Sequence, residues 1–299
     1  SILIYIYTCI LQVKYKYKRI IMKENALTVH TQFANIDNNQ IAYRKFGIGQ
    51  PLILLNRFRG TLDTWDPLFL DLLAKHNTVI TFEYCGIGYS EGELPLAIKD
   101  VANDVIKLAD YLDIEQFHVL GWSYGGWVAQ YTMFLNPSRI LKTVIIGNNP
   151  IGKNELPFKK EFFERALKPV NTDDDFLVLF FEPSSKKSST AAEKSMQRIA
   201  KRFDLSKVPS SQEVFNRYFA SKNAIAEDSD NFRTAYQNTN IPILVLSGDN
   251  DISFSLENWY PMLGKAPTLR LIVMPEAGHA PHFQYPNETN SYIKAFFED

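Results

Sequence analysis

Residues 117–126 read FHVLGWSYGG, and this stretch decides both the fold class and the candidate chemistry. The apolar FHVL segment is typical of a buried strand, and a segment with helical spacing begins at Gly125. Small residues on both sides of Ser123 permit a tight strand-to-helix turn with a strained backbone, which projects the serine hydroxyl above the edge of a sheet. The N-terminus of the following helix carries positive potential, which favours a developing oxyanion. Ser123 is therefore the candidate nucleophile.

Strand-like and helix-like segments alternate on both sides of this stretch from about residue 33 onward. Short apolar runs, as expected for strands buried on both faces of a parallel sheet, occupy residues 51–55, 78–82, 117–120, 143–147, 242–247 and 269–274. Segments with helical spacing occupy residues 62–74, 98–112, 125–135 and 288–297. A turn at residues 37–39 predicts an antiparallel hairpin before them. The pattern predicts an α/β domain with a mostly parallel sheet and helices on both faces.

The alternation stops between about residues 151 and 236. This segment is rich in charges, and it holds ten of the 21 phenylalanines at spacings that predict several short amphipathic helices. Most of these phenylalanines are expected to pack the segment onto the sheet domain, and a few to line a pocket. The Ser/Lys-rich residues 184–189 are predicted to form a loop. Residues 151–236 are therefore predicted to form a helical insertion.

A serine hydroxyl needs a general base, and the base needs a carboxylate that orients it. His279 is the predicted base, because it follows the last predicted strand in the glycine-flanked loop PEAGHAPHFQYP and could reach back over the sheet. His282 is the alternative base, with loop packing or substrate contact as its other possible role. The loop LSGDNDISF leaves the same sheet edge as the serine turn and offers two acids, Asp249 and Asp251.

The order of these residues along the chain, serine then acid then histidine, resembles that of the α/β-hydrolase superfamily. The resemblance is in particular to its small, cap-bearing, cofactor-independent members, such as esterases and cofactor-free haloperoxidases. The resemblance implies an eight-stranded sheet built from residues 22–150 and 237–299, with residues 151–236 as a helical cap. Gly248 and Asp251 match the GxxD motif of the family, which favours Asp251 as the acid. Residues 83–90, EYCGIGYS, resemble the DxRGxGxS loop of the family.

The resemblance also implies an oxyanion hole with two backbone donors. One is the N–H of Tyr124, and the other is the N–H of Phe58 in the loop NRFRG, residues 56–60, which stands where the family usually has HGxxG. Arg57 and Arg59 are either solvated surface charges, or one of them points into the site and favours an acidic substrate group. A further set of residues is predicted to contribute to the substrate pocket, namely Trp122, Arg57 and Trp127.

Charge and composition exclude several other classes. Lys and Arg total 32 against 33 Asp and Glu, so nucleic acid is not an expected partner. The two cysteines, Cys9 and Cys85, are too few for a disulfide scaffold or a zinc site, no metal or other cofactor is predicted, and a reducing, cytoplasmic location is expected. Residues 1–21 are predicted to be upstream or non-native sequence, with a membrane anchor as the alternative, and no membrane partner is expected.

These residues together predict a serine hydrolase that cleaves a small apolar carboxylic ester through an acyl-enzyme intermediate. The same three side chains could also support perhydrolysis or the hydrolysis of a carbon–carbon bond. A protein of this fold that binds a ligand without turnover is the alternative from a different class. The sequence leaves the natural ester and the oligomeric state open.

Overall fold

An eight-stranded sheet forms the centre of the protein in a computed structural model that describes residues 24–299. The predictions for residues 1–21 therefore lie outside the described residues. The strands are β1 (Gln32–Ile36), β2 (Asn39–Gly47), β3 (Gln50–Leu55), β4 (Asn77–Phe82), β5 (Phe117–Trp122), β6 (Ile140–Ile146), β7 (Ile243–Gly248) and β8 (Leu269–Met274). Each apolar run singled out in the sequence lies within or largely overlaps one of them.

The strand order across the sheet is β1-β2-β4-β3-β5-β6-β7-β8. Strand β2 pairs antiparallel with β1 and β4, and the remaining pairs are parallel. The turn between β1 and β2 contains Asp37 and Asn38, both with positive φ, as a two-residue hairpin turn requires. The mostly parallel sheet of the α/β class is therefore confirmed, and the carboxyl ends of β5, β7 and β8 lie at one edge.

Helices cover both faces of the sheet. Those outside the insertion are α1 (Pro67–Ala74), α2 (Ile98–Tyr111), α3 (Tyr124–Leu135), α10 (Pro281–Gln284) and α11 (Pro286–Glu298). Alternate residues of one strand enter different cores: Leu52 and Leu54 pack with α1 and α11, whereas Ile53 and Leu55 pack with α2 and α3. This alternation explains why the central strands carry apolar residues on both faces.

Between β6 and β7 the chain forms six α-helices. They are α4 (Lys160–Ala166), α5 (Asp173–Phe180), α6 (Lys186–Ile199), α7 (Gln212–Phe219), α8 (Lys222–Glu227) and α9 (Phe232–Asn238). Short 3-10 helices occur at Leu62–Thr64, Pro137–Arg139, Leu205–Lys207 and Leu256–Met262. The predicted loop at residues 184–189 is wrong, because the hydroxyl of Ser185 accepts a hydrogen bond from the backbone N–H of Ser188 and starts α6.

Two buried polar clusters connect this helical segment to the sheet domain. The carboxylate of Asp66, which caps α1, also accepts hydrogen bonds from Ser195 at 2.7 Å and from Arg198 at 2.5 Å, both on α6. Arg59, in the loop after β3, donates to the carbonyl oxygens of Ala166, Lys168, Pro169 and Pro209 and to the side chain of Asn171. These contacts hold α4, α6 and the following loops over the carboxyl edge of the sheet.

Candidate active site

Ser123 occupies the sharp turn between β5 and α3 with φ 57° and ψ −124°, a backbone conformation that is strained for a residue with a side chain. The turn is close-packed: a Cβ atom at Gly121 would lie 2.1 Å from the carbonyl oxygen of Gly125, and one at Gly125 would lie 2.1 Å from that of Leu55. The side-chain amide of Asn148 also donates to the carbonyl oxygen of Ser123 at 2.7 Å. The glycines on either side of the serine are therefore required by space, as their positions in the sequence predicted.

His279 and Asp251 form a buried hydrogen-bonded pair, with 2.7 Å between Nδ1 of the histidine and Oδ2 of the aspartate. The other carboxylate oxygen accepts the backbone N–H groups of Ser253 at 2.7 Å and Phe254 at 3.0 Å, so both oxygens of Asp251 are occupied and its orientation is fixed. Because an ionised carboxylate only accepts hydrogen bonds, Nδ1 of His279 carries the proton. Its Nε2 is therefore the basic nitrogen.

The imidazole of His279 is held from several directions. The ring stacks on Phe254, with 5.6 Å between centroids, and on Phe180 at 6.1 Å. The indole N–H of Trp122 donates to the carbonyl oxygen of His279 at 3.0 Å. A Cβ atom at Gly147 would lie 2.9 Å from Nδ1, so glycine at this position leaves room for the ring. His279, the base predicted from the sequence, is thus held at the carboxyl edge of the sheet.

Asp249, the other candidate acid, has a different role. Its Oδ1 accepts the backbone N–H of Ala277 at 3.1 Å and the side-chain amide of Asn250 at 2.8 Å. These bonds connect the loop after β7 to the loop that carries His279. Asp249 therefore braces the backbone, whereas Asp251 contacts the imidazole.

The two candidate oxyanion donors lie in loops that face the same site. Tyr124 is the first residue of α3, so its N–H has no acceptor within the helix. Phe58 lies in a turn closed by a 2.9 Å bond from the N–H of Gly60 to the carbonyl oxygen of Arg57. The ring of Phe58 packs edge-on against Phe215 and Tyr218 of α7, which fixes the turn against the helical segment.

Asn56 explains how this loop keeps its shape without the histidine that the family usually has there. Its side-chain amide donates to the carbonyl oxygen of Thr61 at 2.7 Å, and its Oδ1 accepts the backbone N–H of Arg57 at 2.9 Å. Its own carbonyl oxygen accepts the hydroxyl of Tyr84 at 2.9 Å. The asparagine thus bridges both ends of the turn that carries Phe58.

The remaining candidate residues occupy distinct places. Arg57 and Arg59 both border the cavity at Ser123. Arg57 is half-buried, and Arg59 is buried and bonded to backbone oxygens, so neither is a solvated surface charge. Trp122 is fully buried below His279. Trp127 packs against Phe158 and Phe254, behind the ring that stacks on the histidine. Neither tryptophan is among the described residues that line the cavities at the serine.

Two of the other histidines, His282 and His118, pack in the core, whereas His30 and His76 are exposed. The ring of His282 contacts Phe69 and Trp122 at centroid distances of 4.9 and 4.6 Å, and burial holds the pKa of its imidazole well below the usual range. His118 stacks on Phe297 at 4.1 Å, and burial lowers its pKa to about 4. The packing role considered for His282 is therefore the one that the structure supports.

Ser123 and His279 line one small inner cavity of about 20 Å³, the space of about one water molecule. The other walls come from the loop after β3 and from the helical insertion, namely Arg57, Phe58, Arg59, Phe162, Ala166, Asn171, Leu179 and Phe180. The insertion residues in this wall were not identified individually from the sequence. Their aromatic and apolar character was visible, but spacing alone does not show which side of a short helix faces the serine.

Two further candidate properties concern the described residues as a whole. Within residues 24–299 no group of three or more His, Cys, Asp or Glu side chains is arranged to hold a metal ion. Over the same range, no helix combines the length and the apolar character needed to cross a membrane.

A sheet of this order, with a serine at the sharp turn after β5, defines the α/β-hydrolase class of proteins. A family model described as alpha/beta hydrolase fold matches residues 50–286, and the chain belongs to this family. A solved alpha/beta hydrolase fold protein from Chitinophaga pinensis superimposes with a TM-score of 0.81 at 27% identity, covering 92% of this chain and 100% of that one.

Two curated relatives extend the comparison. A protein of Mycobacterium tuberculosis, provisionally named as non-heme bromoperoxidase BpoC, is 24% identical over 263 residues, which cover 86% of this chain and 97% of the relative. The pimeloyl-[acyl-carrier protein] methyl ester esterase of Pectobacterium atrosepticum is 25% identical over 253 residues, 82% of this chain and 93% of the relative. The chain is therefore similar over most of its length to proteins named for different reactions within one family.

Proposed function

We propose that the protein hydrolyses small carboxylic esters through an acyl-enzyme intermediate on Ser123. The observation that carries the proposal is the 2.7 Å bond between His279 Nδ1 and Asp251 Oδ2, beside an inner cavity that Ser123 also lines. This bond leaves Nε2 of the histidine as the base that a serine nucleophile requires. The similarity to a methyl ester esterase adds support for the reaction class.

In the first half of the reaction, His279 removes the hydroxyl proton while the oxygen of Ser123 attacks the carbonyl carbon of the ester. The backbone N–H groups of Phe58 and Tyr124 receive the oxyanion, and Asp251 stabilises the imidazolium. The intermediate then collapses, the C–O bond to the alcohol breaks, and His279 gives its proton to the alcohol. The acyl group remains bonded to Ser123.

In the second half, a water molecule takes the place of the alcohol. His279 removes a proton from this water as its oxygen attacks the acyl carbon, and the bond to Ser123 breaks. His279 gives this proton to the serine oxygen as it leaves, so the products are a carboxylic acid and the regenerated serine hydroxyl. Phe162, Leu179 and Phe180 give the inner cavity an apolar wall, which suits the hydrocarbon part of an acyl group.

Perhydrolysis is a second candidate, favoured by the similarity to a protein provisionally named as a bromoperoxidase. The acyl-enzyme would be the same, and hydrogen peroxide would replace water as the attacking group, which produces a peracid. The two reactions are separated by supplying acetate and peroxide and measuring peracid directly, with ester hydrolysis measured in parallel.

The proposed function is tested with p-nitrophenyl esters from acetate to octanoate and with a fluorophosphonate probe. We expect a burst of p-nitrophenol, steady turnover with a preference for one chain length, and covalent labelling that Ser123→Ala abolishes together with turnover. A folded protein that is neither labelled nor active on any ester of the series would contradict the proposal. That result would favour a protein that binds a ligand of similar shape without turnover.

A further inference from the structure

A second, larger cavity adjoins the inner cavity at Ser123. It has a volume of about 220 Å³ and is bordered by the loop after β3 and by α5, α6 and the residues that follow α6. Four residues border both cavities, namely Arg57, Arg59, Asn171 and Phe180. A substrate that extends from the serine into the larger cavity would therefore pass these side chains.

Within the described residues, Arg57 is the arginine of this set with the fewest hydrogen-bond acceptors. Its Nη1 donates to the carbonyl oxygen of Phe58 at 2.7 Å, and its Nε is buried without a hydrogen-bond acceptor in the part of the chain that the structure describes. The guanidinium carbon lies 4.6 Å from the ring centroid of Phe180 and 5.5 Å from that of Trp122. Among residues 24–299, no carboxylate lies within ion-pair distance of this guanidinium.

Other arginines of the described chain are compensated in a different way. Arg44 pairs with Asp63 at 2.7 Å, and Arg198 pairs with Asp66 at 2.5 Å. Arg59, which lies two residues from Arg57, donates to five oxygen atoms of the helical insertion. A buried charge normally has a partner of this kind, because desolvation without compensation is costly. Arg57 is half-buried and donates to a single carbonyl oxygen, and among residues 24–299 it has no carboxylate partner. It borders both cavities, as Arg59 does.

The electrostatic surroundings of Arg57 favour an added anion. Burial, followed by the charge of Arg59, lowers the pKa of Arg57 to about 9, so the guanidinium remains charged near neutral pH. The residues bordering the two cavities include a single acid, Asp173, which is exposed at the start of α5 and forms no ion pair with Arg57 in the described structure. The interior beside the serine is thus positive.

We propose that Arg57 binds a carboxylate group of the substrate, so that the preferred substrate is an ester that also carries a carboxylate. This inference rests on the proposed function, because it concerns the cavity at Ser123. The planar guanidinium, which lies near the rings of Phe180 and Trp122, is suited to a carboxylate, which it can bind through two parallel hydrogen bonds. The apolar side chains Phe176, Met196 and Ile199 around the larger cavity suit the hydrocarbon part of such a molecule.

The test compares matched pairs of esters that differ in one charge. In the first pair the carboxylate is on the acyl side, with p-nitrophenyl hemiglutarate against p-nitrophenyl pentanoate. In the second pair it is on the alcohol side, with para-acetoxybenzoate against para-tolyl acetate. Each pair is measured with the native protein, Arg57→Met, Arg57→Lys and the control Arg270→Met, which removes an exposed arginine that pairs with Asp299.

We expect the native protein to prefer the charged ester of at least one pair by roughly ten- to hundredfold in kcat/KM. Arg57→Met should remove that preference, mainly by raising KM for the charged ester. Arg57→Lys should keep part of the preference, since it retains the charge but not the planar fork, and Arg270→Met should leave the ratio unchanged. Equal rates on both members of both pairs, or a preference that survives in Arg57→Met, would overturn the inference.

A binding measurement separates this inference from the proposed function. Glutarate is titrated calorimetrically into Ser123→Ala and into the double variant that also carries Arg57→Met, with thermal unfolding as the folding control. Glutarate binding that depends on Arg57 supports the inference even if the native protein hydrolyses no ester, an outcome that would refute the proposed function alone. Glutarate binding that is absent, or that is equal in both variants, counts against the carboxylate site.

Discussion

A Cβ atom at Gly60 would lie 2.2 Å from Oδ1 of Asn56, so these two residues of the loop after β3 pack without room for a methyl group. The same asparagine oxygen accepts the N–H of Arg57. We therefore expect Gly60→Ala to displace the turn that carries Phe58 and to lower kcat on esters by about tenfold to a thousandfold, as the loss of an oxyanion donor does.

Gly264→Ala is the matched control for this substitution. No atom of residues 24–299 lies within 4 Å of a Cβ at Gly264, but its φ of 77° is unfavourable for alanine. This variant should lose about 1 kcal/mol of stability and keep the native kcat. Steady-state kinetics and thermal unfolding of both variants check the prediction, and a native kcat in Gly60→Ala would show that the turn does not depend on this contact.

Asp251→Asn should lower kcat by about four orders of magnitude, the loss known for the equivalent change in serine proteases. The side-chain amide would offer a donor where His279 now meets an acceptor, and this favours the tautomer with the proton on Nε2. The control is Asp249→Asn in the same loop, which keeps an oxygen that can accept the N–H of Ala277. If the two variants lost activity equally, Asp251 would have no special role.

Much of the sheet was predictable because its strands are buried on both faces. Strand β5 (Phe117–Trp122), which is buried at every position, begins at the first residue of the predicted run 117–120. The helix predicted at residues 62–74 is divided instead, with a 3-10 turn at Leu62–Thr64 and α1 beginning at Pro67. Proline favours the first turn of a helix, and Asp66 caps the helix that starts at Pro67. The helical spacing of apolar residues therefore continues across residues 65 and 66, although the helix itself does not.

The candidate site was predictable only in part. Ser123, Asp251 and His279 each follow a recognisable strand, so their arrival at one edge of the sheet follows from the topology. The environment of Arg57 depends on contacts between the loop after β3 and the insertion, which are far apart in sequence. Two arginines in NRFRG look alike in the sequence, yet Arg59 is bonded to backbone oxygens of the insertion, whereas Nε of Arg57 has no acceptor in the described structure.

Glu83 should make stability depend on pH. Its carboxylate accepts the N–H groups of Leu62 at 2.9 Å and Tyr89 at 2.5 Å, yet burial raises its pKa from 4.5 to about 7. The folded protein therefore binds the proton more tightly than the unfolded chain. This contribution to stability is complete below about pH 4.5 and is lost as the pH rises through about 7.

Glu83→Gln should flatten this dependence, because the glutamine side chain does not ionise. The measurement is the free energy of unfolding by urea at a series of pH values, and the readout is the slope between about pH 5 and 8. Glu155→Gln, at a side chain that is 80% exposed, is the control and should keep the native slope. An unchanged slope in Glu83→Gln would assign the pH dependence to other groups.

A substitution at His282 tests whether a residue close to the candidate active site takes part in catalysis. The residue is fully buried beside Trp65 and Phe283, and within the described structure neither ring nitrogen has a hydrogen-bond partner. An unsatisfied buried polar group costs about 1 to 3 kcal/mol, so His282→Leu should raise the free energy of unfolding by a similar amount. Because burial keeps the imidazole neutral, its loss should leave kcat and its pH profile unchanged. His279→Leu provides the contrast and should remove turnover, and a comparable loss in His282→Leu would mean that the packing residue also takes part in the proton transfer.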